Sequence, residues 1–232
     1  MATRAAPTTL VTGTGTSTGG RLTGRIYDAL KIRLLEGHYP GGSKLSVETL
    51  KTEFGVSKQP IMEALRLLSA DGLVEIYPQI GSVVTKYSGG EVEDFFKMFA
   101  AFESTIAAAA ATRRTSEDLA QLQQTARSME TLGNELDAEA RAHEYRIQNR
   151  HFHAIIHRMA SSRIMADVSR RMWDLSDFLI NAAGTPNPFG NALAERNEDH
   201  QRILQALEAG DAEAARDEMA HHILASPGVM SH

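Results

Sequence analysis

From Leu22 the apolar positions Ile26, Leu30, Ile32, Leu34 and Leu35 recur at the spacing of one helix face, and Gly37 with Pro40 stops the run. Residues 45–54 read as a second, shorter helix, with Ser46 as N-cap and Gly55 where a left-handed residue commonly ends a helix. Ser57 then caps a third helix. Its Pro60 falls in the first turn, where a missing N–H costs nothing, and its apolar face is Ile61, Leu65 and Leu68 up to Asp71-Gly72. Two stretches of β character, 73–77 and 82–85, are joined by Pro78-Gln79-Ile80-Gly81, which is hairpin chemistry.

After Ser88-Gly89-Gly90-Glu91, a linker ending in a capping-box pattern, no strand signal remains. Helical stretches follow at about 91–112, 115–135, 138–160, 163–183, 190–209 and 211–225. Thr115 and Asp118 start the second of these, Gly184-Thr-Pro-Asn-Pro divides the fourth from the fifth, and Gly210-Asp211 divides the last two. Residues 1–20 are Thr, Gly and Ala with almost no large apolar side chain, and so read as a flexible tail. The pattern predicts a mostly α chain: a winged helix-turn-helix over 21–86, a linker at 87–90 and an all-helical antiparallel bundle over 91–226. The two parts are expected to keep separate cores.

Composition narrows the class. In 232 residues, 42% are hydrophobic and 23% charged, which excludes a mostly disordered or collagen-like chain. No window holds the roughly 18 uninterrupted apolar residues of a membrane span, and the N-terminus lacks an apolar signal core, so a cytoplasmic protein is expected. The absence of cysteine excludes disulfides, thiol nucleophiles and Cys-ligated metal, leaving nine His, carboxylates and amides as donors. The net charge of −5 is unevenly spread: 21–86 carries nine Lys/Arg against seven acids, and 87–232 carries fourteen against twenty-two.

Two short helices joined by Gly55-Val56-Ser57, with a helix before and a hairpin after, would place the third helix in the DNA major groove, where each base pair shows a distinct edge. Its N-terminal residues are Ser57, Lys58, Gln59 and Met62. Lys58 suits a phosphate or a guanine edge, Gln59 suits an adenine edge, and the helix N-terminus can hold a phosphate oxygen. The spacing alone also fits a packed corner in a protein that never touches DNA. The residues add more. Tyr39-Pro-Gly-Gly-Ser-Lys-Leu45, Gly55-Val-Ser-Lys-Gln-Pro-Ile-Met-Glu-Ala-Leu-Arg-Leu-Leu68 and Asp71-Gly-Leu-Val-Glu75, with Gly81 in the wing, resemble the DNA-binding domain of GntR-family bacterial transcription regulators across about 22–86. The resemblance implies that Ser57, Lys58, Gln59, Pro60, Met62 and Gly81 stand at DNA-contact positions. Lys58 replaces the Arg of a Ser-Arg-x-Pro element, and Met62 and Glu48 replace two further Arg, so fewer guanidinium forks and a different operator are expected. Gly81 fits a wing tip approaching DNA and fits equally a glycine that only makes the turn.

Asn149 and His153, four apart, share a face of the third bundle helix, while His200 and His222 lie in the fifth and sixth among apolar neighbours. Three imidazoles and an amide oxygen from three helices can hold a divalent metal inside a bundle, although each His alone can equally be a packing or surface residue. Asn149-x-x-Phe152-His153, Glu198-Asp199-His200-Gln-x-Ile-Leu204, and Gly210-Asp211-x-x-x-Ala215 through to His222 look like the FCD domain of the FadR-type GntR subfamily across about 91–226. That resemblance implies a divalent metal (Zn, Ni or Mn) on Asn149, His153, His200 and His222. Asn in place of the usual Asp leaves a shell of neutral donors around the cation, whose open positions a small organic acid would fill. Glu103 matches a Glu common in the subfamily, but an Arg often found one turn earlier is Phe99. Arg146 and Arg150 are further candidates for the acid, or a solvated helix face. His157, four from His153, is an alternative ligand or a packing residue, and Trp173 is assigned to packing or surface.

The expected function is a ligand-responsive transcription regulator: a homodimer binds double-stranded, pseudo-palindromic operator DNA, and a small carboxylate effector held at the metal changes that affinity by linkage. An enzyme is not expected, because a metal-bound water would need a general base and no carboxylate has a distinct claim to that role. An architectural DNA-binding protein with a purely structural bundle is the other reading.

Overall fold

The computed structural model describes residues 17–132, 138–182 and 193–226. Its first part runs α1 (Ser17–Leu35), β1 (Lys44–Leu45), α2 (Val47–Phe54), α3 (Lys58–Ala70), β2 (Val74–Tyr77) and β3 (Gly81–Val84). Ser46 and Gly55 cap α2 as the sequence marks, whereas Ser57 takes the N-cap position of α3 without a side-chain bond. The Ser46 hydroxyl accepts from the Thr49 N–H, and Gly55 ends α2 at φ 64°, a left-handed conformation that a side chain would oppose. The three strands form an antiparallel sheet in the order β1-β3-β2, with Lys44 opposite Val83 and Tyr77 opposite Gly81. At two residues β1 is too short to alternate visibly, so Leu45, expected to open the second helix, is corrected to this strand and α2 starts only after the Ser46 cap. Helix α1 begins five residues before Leu22, since adding a turn to a formed helix costs little compared with nucleating one. Residues 1–16 of the expected tail lie outside the described residues.

The second part holds α4 (Gly89–Arg113), α5 (Ser116–Thr131), α6 (Ala138–Met159), α7 (Arg163–Ala182), α8 (Leu193–Ala209) and α9 (Ala212–Ala225). Portions of the helical stretches expected at 133–135, 183 and 190–192 lie outside the described residues. Ser88 and Glu91 form the reciprocal capping box at the start of α4, and Thr115 and Asp211 cap α5 and α9. Helix α4 packs chiefly along α9, and both contribute small buried residues, Ala107, Ala110, Ala111 and Ala215, that let the axes approach.

The expectation of separate cores is corrected. Buried apolar residues from Ile26 in α1 to Ile223 in α9 form one cluster, because α1 of the winged part packs against α7 of the bundle. At this seam the Asn181 side-chain amide donates to the Leu35 carbonyl at 2.8 Å. Gly37, at φ 74°, leaves out a Cβ that would stand 2.7 Å from the Asn181 carbonyl oxygen.

Candidate metal centre and nucleic-acid interface

Helices α6, α8 and α9 each turn one imidazole inward: His153, His200 and His222 are all nearly fully buried. One ligand atom from each lies within 4.8 Å of the others, and His153 Nε2 and His222 Nε2 are 3.3 Å apart. Two nitrogens each about 2.1 Å from one cation would stand roughly 3.0–3.4 Å apart in octahedral or tetrahedral geometry, so the observed gap fits shared coordination. The donor set also carries unmet capacity. His153 Nδ1, both ring nitrogens of His200 and the Asn149 side-chain oxygen are buried without a hydrogen-bond partner among the described residues. An orphaned buried polar atom ordinarily costs about 1–3 kcal/mol, a cost that ligation would remove at one nitrogen of His200 and at the Asn149 oxygen. Asn149 lies one turn before His153 and shares a small cavity with His222 and Trp173.

The electrostatics keep the imidazoles in the ligating form. Burial drives His153 and His200 well below the usual imidazole range, with the neighbouring His side chains adding to it. Burial also pushes His222 down to about 4, against the opposing pull of Asp199. Asp199 is the residue the sequence reading passed over. Its carboxylate lies 3.2 Å from His222 Nδ1 and is held in turn by Arg196 and Arg202. With Nδ1 donating to Asp199, His222 Nε2 is left as a lone pair facing His153. The signal was present in the sequence: an acid beside His200, with Arg three positions to either side.

The remaining candidates separate. Arg150 borders a cleft of about 550 Å³ between α6 and α7, together with His153, His157, Arg163, Arg170 and Trp173. The same Arg150 is paired with Asp174 at 2.9 Å and Asp177 at 2.7 Å. Arg146 pairs instead with Glu36, just past the end of α1, at 2.6 Å. Glu103 is fully buried, bonded by Ser169 and, at 2.9 Å, by His157, so it stands behind His157 and does not line the cleft. His157 thus has a partner of its own, and Trp173 is more than packing: its ring centroid is 4.2 Å from that of His153, it lines both cavities, and its indole N–H lacks a partner among the described residues.

At the other end, Ser57, Lys58 and Gln59 are exposed at the start of α3. The Ser57 hydroxyl makes no capping bond, and Lys58 has no ion pair among the described residues. Gln59 is tied to Glu63 at 3.2 Å. Met62 is half-buried against the core, and Pro60 is partly covered. Gly81 adopts φ 96°, so the hairpin itself demands glycine there. Arg66, two turns beyond Lys58, is an exposed cation the sequence reading did not single out.

Comparison with known proteins agrees with both halves. Residues 22–84 match the sequence model described as bacterial regulatory proteins, gntR family, and residues 94–225 match the FCD domain. The chain is 26% identical to the HTH-type transcriptional regulator YdhC of Bacillus subtilis over 85% of this chain and 86% of that protein. It is 25% identical to the HTH-type transcriptional repressor GlaR of Escherichia coli over 85% and 90%. Among solved structures, E. coli McbR/YncC superposes with a TM-score of 0.73 at 22% identity, over 90% of this chain and 97% of that one. The FCD match alone takes in more than half of the chain, and with the gntR match ahead of it the protein belongs to the GntR family of regulators that carry an FCD domain and is a DNA-binding transcriptional regulator.

Proposed function

We propose that this regulator holds a divalent metal on Asn149, His153, His200 and His222, and that a small carboxylate completes the shell and sets the affinity for operator DNA. The observation that carries this reading is the convergence of three buried, neutral imidazoles from three helices, with ring nitrogens left unpartnered. A purely structural bundle has no use for such orphans. The donor set suits Zn, Ni or Mn. Trp173 and Arg150, on the wall shared with the α6–α7 cleft, give an acid an N–H donor and a cation beside the metal.

On the DNA side, Ser57, Lys58 and Gln59 at the exposed start of α3 meet the operator, with Pro60 setting the first turn, Met62 supporting it from the core and Gly81 shaping the wing. The regulator works in the cytoplasm as a homodimer, matching the two-fold symmetry of a pseudo-palindromic site. Elemental analysis of the purified protein after dialysis without chelator tests the centre. About one metal per chain is expected, falling in His200→Ala; a parent far below that which cannot be reloaded with Zn, Ni or Mn would end the reading.

A further inference from the structure

A row of charges joins the cleft to the DNA-binding helices. In α7 the Asp174 carboxylate takes Arg150 of α6 on one oxygen at 2.9 Å and Lys31 of α1 on the other at 2.8 Å. Lys31 Nζ also reaches Asp71 at 3.1 Å, and Asp71 is the C-cap of α3, the helix whose N-terminus carries Lys58 and Gln59. Tyr27 fastens the same corner, donating to Asp71 and accepting from Lys31 at 2.8 Å. At its other end Arg150 lies over the Trp173 ring at 5.8 Å, and that ring packs on His153. Each step is a direct contact, so one unbroken physical chain runs from a candidate metal ligand to the end of the recognition helix.

The charge count makes this row sensitive at one place. Two cations, Lys31 and Arg150, make the direct ion pairs of three carboxylates, Asp71, Asp174 and Asp177; Asp177 is nearly fully buried and feels Arg146 only from further off. Among these five charged side chains, Arg150 alone also borders the α6–α7 cleft. Its guanidinium is therefore shared between two claims: the carboxylates of α7 and any anion in the cleft.

We infer that this shared guanidinium is the switch of the regulator: an acid bound in the cleft draws Arg150 from Asp174, and the carboxylates left short of a cation loosen α7 from α1 and with it the anchorage of α3. The inference rests on the reading of the bundle as an acid-binding site and adds the route by which occupancy reaches DNA. Two charge-neutral carboxyls or a full guanidinium shell would not respond in this way; three acids on two cations do, because any competitor for Arg150 leaves one of them unmatched in a partly buried place. Coupling of this kind needs a two-state contact that both sites bias, and the α1–α7 seam is the contact that this row of charges spans.

Segment-resolved amide hydrogen exchange on the full-length chain tests this, with malonate, a small diacid, as the probe. Without any acid, Asp174→Asn is expected to exchange roughly tenfold faster than the parent along α1 near Lys31 and along α7, with α8 and α9 unchanged. Lys31→Met should do the same from the other side, which guards against a variant that merely folds badly. Saturating malonate should move the parent toward the variants, and its calorimetric heat should shrink in Arg150→Gln. Seam exchange in Asp174→Asn and Lys31→Met equal to the parent would overturn the relay. So would malonate that binds the parent with heat and leaves the seam untouched, and so would the absence of any malonate heat, which removes the acid from the cleft. Metal content measured on the same samples reports on the metal centre independently, so its failure and that of the relay are seen apart.

Discussion

Among the four proposed ligands, His222 and His200 stand in opposite situations. His222 has one ring nitrogen fixed by Asp199, whereas neither nitrogen of His200 has a partner among the described residues. Burial pushes the Asp199 carboxyl up, but the bond from His222 and the charges of Arg196 and Arg202 outweigh it and hold the group below the usual carboxylate range. It is therefore an anion aimed at the back of a ligand, the arrangement that fixes an imidazole's tautomer and raises its basicity. Asp199→Asn keeps the size and an acceptor oxygen but removes the charge, and metal affinity is expected to fall by about tenfold or more with the ligand count unchanged. Competition against a chromophoric chelator measures it; unchanged affinity would reduce Asp199 to a partner for Arg196. On the DNA side, Lys58→Ala should weaken binding and flatten its salt slope by about one phosphate contact, or relax one operator position if the lysine reads a base. Binding as tight as the parent's across several salt concentrations would move the interface elsewhere on the winged part.

Elements differ in how openly the sequence declares them. Helices α2 and α3 were legible to within two residues because their punctuation is chemical: Ser46 caps, Gly55 takes the left-handed turn, and Pro60 sits where no N–H is needed. Gly55→Ala should cost about 1–2 kcal/mol, read as a lower denaturant midpoint at constant slope, since a Cβ there meets open space and pays only for the positive φ. A loss near zero would mean that the turn relaxes to another conformation. Strand β1 was invisible because two residues carry no period and its partner lies almost forty positions away. The same limit governed the site. Four-residue spacing put Asn149 and His153 on one face, but convergence with His200 and His222 depends on how α6, α8 and α9 pack, which no local pattern encodes. The family resemblance supplied that. It was silent on Asp199, Trp173 and the pairing of Arg150, whose roles arise from neighbours on other helices.

Taken whole, the molecule buries three imidazoles beneath a core that runs unbroken from α1 to α9, and that has a consequence for acid stability. In the unfolded chain each His protonates near pH 6.5; in the folded, metal-free chain His222 does so only at about 4, and burial lowers His153 and His200 as well. Between those limits the unfolded state binds more protons than the native one, so stability rises with pH there and is lost as pH falls from about 6.5 toward 4. For His222 alone a shift of this size corresponds to roughly 3 kcal/mol across the window. Bound metal adds to the steepness, because it stabilises only the native state and needs the imidazoles unprotonated, so acid removes both contributions together. Chemical denaturation at a series of pH values, with and without Zn, should thus give midpoints that fall below pH 6.5 in the metal-free protein and fall faster in the loaded one. His200→Leu, which fills the site with an apolar side chain, should flatten the metal-free curve. A parent whose midpoint stays level from pH 7 to pH 5 would mean that these imidazoles are hydrated in solution, and the candidate centre would lose the dry surroundings on which its chemistry depends.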